Sequence, residues 1–344
     1  MYNFFKCLKI SLYNLLIFIS LIVFIEIIFG YWFKKNNFGI HMRAERNKVS
    51  KFNVSHHGNG EKISFLYKRN FYGFIGEEFD PKDVKIIFEG GSTGVEMWKP
   101  EETSIVSVLN KLLVEDGDDK RIYNASINGK SIRGYAYDFK YWFTKIPNLN
   151  PDYVIFYLGI NDRKFPDDEM HRFFDEQHST ETLKKIRDYI KNNSFILEKV
   201  KKIENIYFTK NYFQYDLDKN DLYKNFTYVN YAKAKEIHSL KFNDKDKKYL
   251  KILNNRLNNL NTIIQQSSFT PIFITQIKFD GLKERRMFLA NETIKKFAKN
   301  NDYRLIPLDE LIREMQVGDF FDEVHTTISG SKKIAEIIYK NIVW

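Results

Sequence analysis

The sequence predicts an α/β protein in which a mostly parallel sheet lies between two layers of helices, with a transmembrane helix in front of it. Three observations lead to this prediction. Short apolar runs end in glycine or polar residues, as strands that are buried on both faces do. Segments with helical spacing of apolar residues separate those runs, and such alternation favours a parallel sheet covered on both faces. A long apolar run stands near the N-terminus.

Five apolar runs are predicted to be the strands of the sheet, and the amphipathic segments between and after them are predicted helices. The predicted strands are residues 84–88, 121–125, 153–158, 271–275 and 303–307. The predicted helices are residues 101–113, 132–146, 246–266, 284–300 and 329–342. In a doubly wound sheet of this kind, ligands bind beyond the carboxyl ends of the strands. Functional residues are therefore expected directly after these strands.

The long apolar run covers residues 10–33, and its 24 residues are enough to cross a hydrocarbon core of about 30 Å. Trp32 stands where interfacial aromatic side chains are common. No small-residue cleavage site follows, so we expect residues 1–35 to be an uncleaved anchor rather than a signal peptide. Glu26 is the one ionisable residue inside the run. It marks either a contact with a partner or a side chain that reaches the interface.

Basic residues flank both ends of this run, and the larger number follows it. They are Lys6 and Lys9 on one side and Lys34, Lys35, Arg43, Arg46 and Lys48 on the other. A literal positive-inside count keeps the main domain in the cytoplasm, but long domains cross membranes regardless of flanking charge. The side of the membrane stays open at this point. We expect a single-pass protein of a bacterial inner membrane and favour the periplasmic side for its main domain.

Three further segments are predicted after the anchor. Residues 36–82 form a polar, mostly irregular juxtamembrane segment, in which His56 and His57 lack a third metal ligand and fit a solvated loop. Residues 83–344 form the α/β domain. Residues 165–245 interrupt the alternation of strands and helices, which indicates an insertion with helices near 181–202 and 231–240. The insertion is either a lid or substrate platform, or a decoration of the surface.

The charge and the cysteine content narrow the classes of partner. The net charge is +10, but the basic residues are mixed with acids, and no nucleic-acid-binding signature is present. We therefore expect no nucleic-acid partner; the charge fits a lysine-rich surface or attraction to anionic lipids or acidic glycans. Cys7 is the only cysteine, which excludes an intramolecular disulfide and a cysteine-based metal site. No metal or cofactor is expected.

Four short polar motifs fall where ligands are expected. Three of them follow predicted strands, at residues 90–94, 124–129 and 159–162, and the fourth, at 322–325, precedes the last helix. Each is ambiguous alone, because Gly-Gly-Ser-Thr is also a common helix-capping turn. A phosphate-binding loop is excluded, since the Lys-Ser/Thr ending of that motif is missing. Their joint presence at one edge of the sheet predicts an active site.

The residue types in these motifs suit acyl transfer to serine. The hydroxyl of Ser92 is a weak nucleophile and needs a base within hydrogen-bond reach. His325 has the right chemistry for that base, and Asp322, three residues earlier, can orient its ring. The backbone N–H groups of Ser92 and Gly129 and the side-chain amide of Asn161 can stabilise the oxyanion. Glycine at 129 would also let the backbone approach a substrate closely.

Taken together, the four motifs resemble the SGNH (GDSL-like) hydrolase superfamily, whose blocks supply a serine, a glycine, an asparagine and a histidine. Ser92, Gly129, Asn161 and His325 match these blocks, and Asp322 matches the aspartate before the histidine. The resemblance implies the three-layer flavodoxin-like SGNH hydrolase fold. It also implies ester hydrolysis without a metal.

The resemblance extends over about residues 70–344, without the insertion. Residues 70–74 resemble the lead-in of membrane-anchored bacterial members. One departure is Gly91, where many members have aspartate. This position is neither nucleophile, base nor oxyanion donor, so the implied mechanism remains intact.

The expected activity is that of a serine esterase or deacetylase. The substrate would be a small ester or an acylated glycan, most simply an O-acetyl ester on the cell surface, and membrane lipid would surround the N-terminal helix. One alternative uses the same site as an O-acyltransferase to a sugar. Another is a non-catalytic glycan-binding or assembly protein. The intact set of Ser92, Asn161, Asp322 and His325 favours an enzyme.

Overall fold

The computed structural model describes residues 2–33, 46–55, 62–164, 182–208, 211–214, 226–238 and 241–344. The first half contains α1 (Tyr2–Phe29), β1 (Lys48–Ser55), β2 (Lys62–Arg69), β3 (Ile86–Gly90), α2 (Ser92–Val95), α3 (Ile105–Glu115), β4 (Ile122–Asn124), α4 (Ile132–Tyr141), β5 (Tyr153–Tyr157) and α5 (Ile160–Lys164). The second half contains α6 (Thr182–Asn193), α7 (Phe195–Ile203), β6 (Asn211–Gln214), α8 (Tyr231–Ile237), α9 (Asp244–Gln265), β7 (Thr270–Ile274), α10 (Arg285–Asn300), β8 (Arg304–Ile306), α11 (Leu308–Leu311) and α12 (Ile328–Asn341).

Five strands form the central sheet in the order β4-β3-β5-β7-β8, and every neighbouring pair is parallel. Gly90 pairs with Tyr157, and Tyr157 pairs with Ile274, so the carboxyl ends of the three central strands are level. The five predicted strands are confirmed. Because the strands are parallel, the loops that follow them share one edge of the sheet.

Helices cover both faces of this sheet, as the alternating pattern predicts. On one face α4, α9 and α10 bury apolar side chains such as Phe139, Leu257 and Ile294 against the strands. On the other face α3 and α12 do the same with side chains such as Leu109 and Ile338. The three-layer α/β fold is therefore confirmed.

Local capping explains where several of these helices begin. The Ser104 side chain accepts a hydrogen bond from the N–H of Ser107, so α3 starts after residue 104 and not at 101 as predicted. Asn243 and Asp246 form a reciprocal capping box at the start of α9. Thr327 caps α12 by accepting from the N–H of Gly330. This last cap fixes the chain directly after the motif at 322–325.

The prediction that residues 36–82 are mostly irregular is wrong for β1 and β2, which form an antiparallel hairpin. β6 adds to β1 in parallel and completes a second, three-stranded sheet. The hairpin forms because Phe52 and Val54 alternate with polar residues and bury one face of the strand. They pack with Tyr67 and with Val95 of α2, one turn beyond Ser92. His56 and His57 lie outside the described residues.

Helix α1 is exposed along its length and is apolar enough over Lys9–Phe29 to cross a membrane. It ends at Phe29, four residues earlier than the predicted apolar run, and the N–H of Gly30 still bonds the carbonyl of Glu26. In the predicted insertion the structure describes α6, α7, β6 and α8. An apolar helix of this kind is either a membrane anchor or a signal sequence.

Candidate active site

The loop that carries Ser92 turns sharply between β3 and α2, and glycines make that turn possible. A Cβ at Gly90 or Gly94 would press on the hydroxyl of Ser126, in the loop after β4. The two loops are also joined by a hydrogen bond from the N–H of Ile127 to the carbonyl of Gly90, at 3.0 Å. Small residues therefore let the first and second motifs pack directly against each other.

Asn161 lies directly against the residue that precedes Ser92. A Cβ on Gly91 would collide with the Nδ2 atom of Asn161. That nitrogen donates a 2.7 Å hydrogen bond to the carbonyl of Lys130, which fixes the amide. An aspartate at 91, common in the family that the sequence resembles, would displace this amide here. Glycine at 91 is therefore compatible with this position of the Asn161 amide.

Gly129 occupies an exposed turn and has a φ of +74°, a left-handed conformation that disfavours other residues. A Cβ there would meet no atom within 4 Å. The glycine is thus favoured by the backbone conformation and not by packing. The open space beside it is compatible with the predicted approach of a substrate. Lys130, the next residue, links this turn to Asn161 through its carbonyl.

Asp322 and His325 form the pair that the fourth motif predicts. Nδ1 of His325 lies 2.6 Å from Oδ2 of Asp322, and the other carboxylate oxygen accepts from the N–H groups of Val324 and His325. The imidazole ring also stacks on Phe321, with ring centroids 5.5 Å apart. Three contacts to the carboxylate and one to the ring therefore fix the orientation of the histidine.

The protonation of this pair follows from its contacts. Partial burial acts to raise the pKa of Asp322, but hydrogen bonds from the His325 ring and from two backbone N–H groups outweigh it and hold the pKa below its ordinary value. An ionised Asp322 makes Nδ1 of His325 the donor. In the neutral ring Nε2 then carries the lone pair. Among the described residues this buried nitrogen has no hydrogen-bond partner.

A buried ion pair joins the Ser92 helix to the loop of His325. The ammonium of Lys99 lies 2.6 Å from Oε1 of Glu96, which caps the C-terminus of α2. Lys99 also donates to the carbonyls of Thr326 and Thr327 and contacts the hydroxyl of Ser331. Burial lowers the pKa of this ammonium, and Glu96 counteracts that effect. The sequence prediction missed this cluster, because a Glu and a Lys three residues apart resemble an ordinary surface pair.

Gln276 makes a second connection beneath the site. Its amide nitrogen donates to the hydroxyl of Thr93 at 2.8 Å, and its amide oxygen accepts from the N–H of Ile160 at the same distance. It therefore bridges the neighbours of Ser92 and Asn161. Gln276 stands two residues after the end of β7, near a strand end where functional residues are expected, but no motif marks it in the sequence.

Asp162, the last residue of the third motif, has a structural role. Its carboxylate accepts from the N–H of Ile132, at the start of α4, and from Arg256 of α9. Burial raises its pKa, and Arg256 acts against that effect. The residue thus ties two helices to the loop that carries Asn161.

A second buried cluster lies under the same edge of the sheet. Glu89, next to Gly90, is fully buried 3.5 Å from the ammonium of Lys130, and Asp138 contacts that ammonium too. Burial raises the pKa of Glu89 well above its ordinary value of 4.5; the ammonium of Lys130 acts against that effect, and the nearby Asp138 adds to it. We infer that Asp138 is the carboxylate that neutralises Lys130, while Glu89 holds a proton.

Replacing Glu89 by glutamine is expected to make the protein less sensitive to rising pH. Between the ordinary pKa and the raised one, the unfolded chain loses a proton that folded Glu89 keeps, so wild-type stability falls as pH rises. Glutamine removes this loss, which amounts to at most about 1.4 kcal/mol per pH unit. The check is the thermal unfolding midpoint from about pH 5 to about pH 8. The control is Glu115→Gln at an exposed position. A difference in unfolding midpoint between Glu89→Gln and wild type that stays the same at every pH would contradict a protonated Glu89.

Within the described part of the chain, no three histidine, cysteine, aspartate or glutamate side chains are grouped to hold a metal ion. The candidate site combines a serine, a histidine–aspartate pair, a glycine turn and an asparagine amide. These groups lie on loops that are linked in pairs by the contacts described above. The arrangement is suited to polarising and attacking a carbonyl group.

A family model described as GDSL-like lipase/acylhydrolase matches residues 87–338, which is more than two thirds of the chain. The chain therefore belongs to this family, and it is an enzyme that hydrolyses ester bonds. The resemblance to the SGNH (GDSL-like) hydrolases is confirmed. Membership favours the enzymatic prediction over the non-catalytic alternative.

Similar solved structures include TesA, an acetyl xylan esterase named AlAXEase, and a catalytic mutant of Axe2, an acetylxylan esterase from Geobacillus stearothermophilus. TesA is 12% identical to this chain; the match covers 75% of this chain and 97% of TesA, with a TM-score of 0.41. AlAXEase is 16% identical; the match covers 76% of this chain and 100% of AlAXEase, with a TM-score of 0.38. The Axe2 mutant is 14% identical; the match covers 76% of this chain and 94% of the Axe2 chain, with a TM-score of 0.41. Among curated proteins no match was found.

Proposed function

We propose that this enzyme cleaves small O-acyl esters through an acyl-serine intermediate on Ser92. The observation that supports this proposal most is the His325–Asp322 pair, whose geometry leaves Nε2 of the ring buried and without a partner among the described residues. Such a nitrogen is ready to accept a proton from a serine hydroxyl. Asp322 holds the tautomer and stabilises the imidazolium that forms.

The reaction then proceeds in two balanced halves. Oγ of Ser92 bonds to the acyl carbon while its proton moves to His325, and the tetrahedral intermediate collapses as His325 returns that proton to the leaving alkoxide. Water next gives a proton to His325 and attacks the acyl-serine. When the second intermediate collapses, the bond between the acyl carbon and Oγ breaks and His325 returns its proton to Oγ, which releases the carboxylic acid and restores Ser92.

Three donors are assigned to the oxyanion that develops in both halves. They are the backbone N–H groups of Ser92 and Gly129 and the side chain of Asn161. An asparagine amide has two N–H donors, and the carbonyl of Lys130 occupies one of them. The second donor is available to a substrate, while the first holds the amide in place.

The proposed substrate is a small ester, and an O-acetyl group on a cell-surface glycan fits best. Support for a surface substrate comes from α1, which would keep the site near a membrane and thus near the molecules at its surface. The net charge of +10 would favour a neutral or acidic glycan over a basic one. The acyl length is tested by comparing p-nitrophenyl acetate with longer p-nitrophenyl esters.

Ser92→Ala is expected to abolish covalent labelling of the full chain by a fluorophosphonate, because the only proposed acyl acceptor is removed. Labelling is read as gel fluorescence beside hydrolysis of p-nitrophenyl acetate. The exposed serine variant Ser268→Ala is the matched control and should label like wild type. Labelling of Ser92→Ala at the wild-type level would end the assignment of the nucleophile.

Asn161→Ala is expected to lower kcat by about 10²–10³-fold with a much smaller change in KM, since the lost donor acts on the transition state. Steady-state kinetics with p-nitrophenyl acetate measure both constants. Asn128→Ala removes a neighbouring exposed amide, bonded to the sulfur of Met97, and should change kcat little. A rise in KM at constant kcat would assign Asn161 to substrate binding instead.

We also propose that α1 is retained as a membrane anchor. The carboxylate of Glu26 accepts from the hydroxyl of Ser194 and from the N–H groups of Phe195 and Ile196, at the first turn of α7. It also accepts from the indole of Trp32. Removal of α1 as a signal peptide would leave this end of α7 without its partner.

A further inference from the structure

Helices α6 and α7 each leave a row of apolar side chains largely exposed in the described part of the chain. On α6 these are Leu183, Ile186, Tyr189 and Ile190, and on α7 they are Leu197, Val200 and Ile203. Within each helix the spacing of three or four residues places them on one face. Tyr207 and Phe208, in the turn of π-helix after α7, are each 76% exposed. Large apolar side chains grouped in this way mark an interaction surface.

Helix α6 ends, and helix α7 begins, beside the last turn of the proposed anchor. The ring of Phe29 lies 5.3 Å from that of Phe195, and Trp32 meets Tyr189 edge-on at 5.8 Å. Glu26, which caps α7, stands three residues before the end of α1. At 1.5 Å per residue this carboxylate lies only about 5 Å below the end of the helix. In a bilayer that α1 spans, the start of α7 would therefore lie at the depth where acyl chains meet headgroups.

The charge of the two helices complements anionic headgroups. Residues 182–203 contain seven lysines and arginines, namely Lys184, Lys185, Arg187, Lys191, Lys199, Lys201 and Lys202. The same residues contain two acids, Asp188 and Glu198, so basic residues outnumber acids by seven to two. Glu198 accepts hydrogen bonds from Tyr31 and Asn47 and also pairs with Lys199 and Lys202. A helix with an apolar face and many lysines elsewhere is typical of segments that lie in a membrane interface.

We propose that α6 and α7 lie on the bilayer surface beside α1, with their apolar faces among the lipid acyl chains and their lysines on anionic headgroups. This inference rests on the proposal that α1 is a membrane anchor. Such a second contact would prevent the catalytic domain from rotating freely about α1. It would hold the edge of the sheet that carries Ser92 in one orientation relative to the membrane.

Site-directed fluorescence on the full chain tests this contact. Cys7→Ser removes the native thiol, and single cysteines at Leu183 or Val200 carry an environment-sensitive nitrobenzoxadiazole label. Ile17→Cys in α1 reports the anchor, and Val114→Cys, an exposed apolar position on α3, is the matched negative control. Vesicles contain phosphatidylcholine with about a third phosphatidylglycerol and a doxyl-labelled lipid as the quencher.

The expected result is that labels at Ile17, Leu183 and Val200 lose at least about half of their emission, while the label at Val114 does not. Quenching at Ile17 with none at Leu183 and Val200 would overturn the surface contact and leave the anchor in place. Absence of quenching at Ile17 would overturn both. A second copy of the chain as the occupant would instead protect Leu183 and Val200 without quenching, and would appear as a dimer on crosslinking, which also overturns the proposal.

The headgroup part of the proposal has its own test. In the Val200→Cys chain, Lys201→Glu combined with Lys202→Glu is expected to reduce quenching in the anionic vesicles and to have little effect in pure phosphatidylcholine. Lys247→Glu combined with Lys248→Glu reverses the same charge on α9 and should leave quenching unchanged. Equal quenching in all variants and both lipids would overturn the role assigned to the lysines. Hydrolysis of p-nitrophenyl acetate, measured on the same vesicles, separates these outcomes from a failure of the active site.

Discussion

His325→Ala is expected to lower kcat/KM for p-nitrophenyl acetate by about 10³-fold or more, because no other base would take the proton of Ser92. His325 is held by Asp322 through a 2.6 Å hydrogen bond and by stacking on Phe321, and its Nε2 atom is the proposed proton acceptor. Alanine removes that acceptor, but the contacts that Asp322 makes with two backbone N–H groups remain. The fold should therefore survive.

The double variant Ser92→Ala with His325→Ala separates a catalytic unit from two independent contributions. When two residues act in the same step, removing the second after the first costs little more. The double variant should thus match the slower single variant within a few-fold. Losses that multiply would contradict a joint role, and loss of the folded near-ultraviolet circular dichroism signal would identify an effect on structure.

Lys99→Met is expected to destabilise the protein by about 3–5 kcal/mol, because it leaves the carboxylate of Glu96 buried without its cation. Both side chains of this pair are almost fully buried, at 3% and 2% exposure. The substitution also removes the donor to the carbonyls of Thr326 and Thr327. The measurement is the free energy of unfolding from denaturant titration, followed by tryptophan fluorescence.

Glu96→Gln combined with Lys99→Met is the matched control for this prediction. It removes both charges, so the penalty for an unpaired buried ion disappears and most of the lost stability should return. A double variant as unstable as Lys99→Met would show that the contacts with the backbone carbonyls matter more than the charge. Because the cluster joins α2 to the loop of His325, Lys99→Met should also lower kcat in the fraction that remains folded.

The strands of the central sheet and the positions of the candidate site residues were predictable for the same physical reason. Strands buried on both faces must be apolar throughout, and polar residues can follow only where such a strand reaches the surface. Gly90, Asn124 and Gly159 mark those points, so the motifs at Ser92, Gly129 and Asn161 could be placed at one edge from spacing alone. The catalytic roles of these residues remain predictions that the experiments above test.

What the sequence did not reveal depends on contacts between distant segments. Lys99 and Ser331 are 232 residues apart, and neither shows in its local sequence that both are buried. Gln276 gives a weak signal by its position after β7, but its partners near Ser92 and Asn161 come from two other loops. The hairpin of β1 and β2 was missed because lysines, serines and an asparagine obscured the alternation of Phe52 and Val54.

The cap that Glu26 provides for α7 has a consequence for the order of events during synthesis. Glu26 and Ser194 are 168 residues apart, so at usual translation rates of 5–20 residues per second the ribosome needs about 8–34 s between them. During that interval the carboxylate in the last turn of α1 has no Ser194 to bind. The first turn of α7 can therefore donate its hydrogen bonds to the carboxylate of Glu26 only after residues 194–196 have been synthesised. Synthesis of α1 would thus precede the capping of α7 by Glu26.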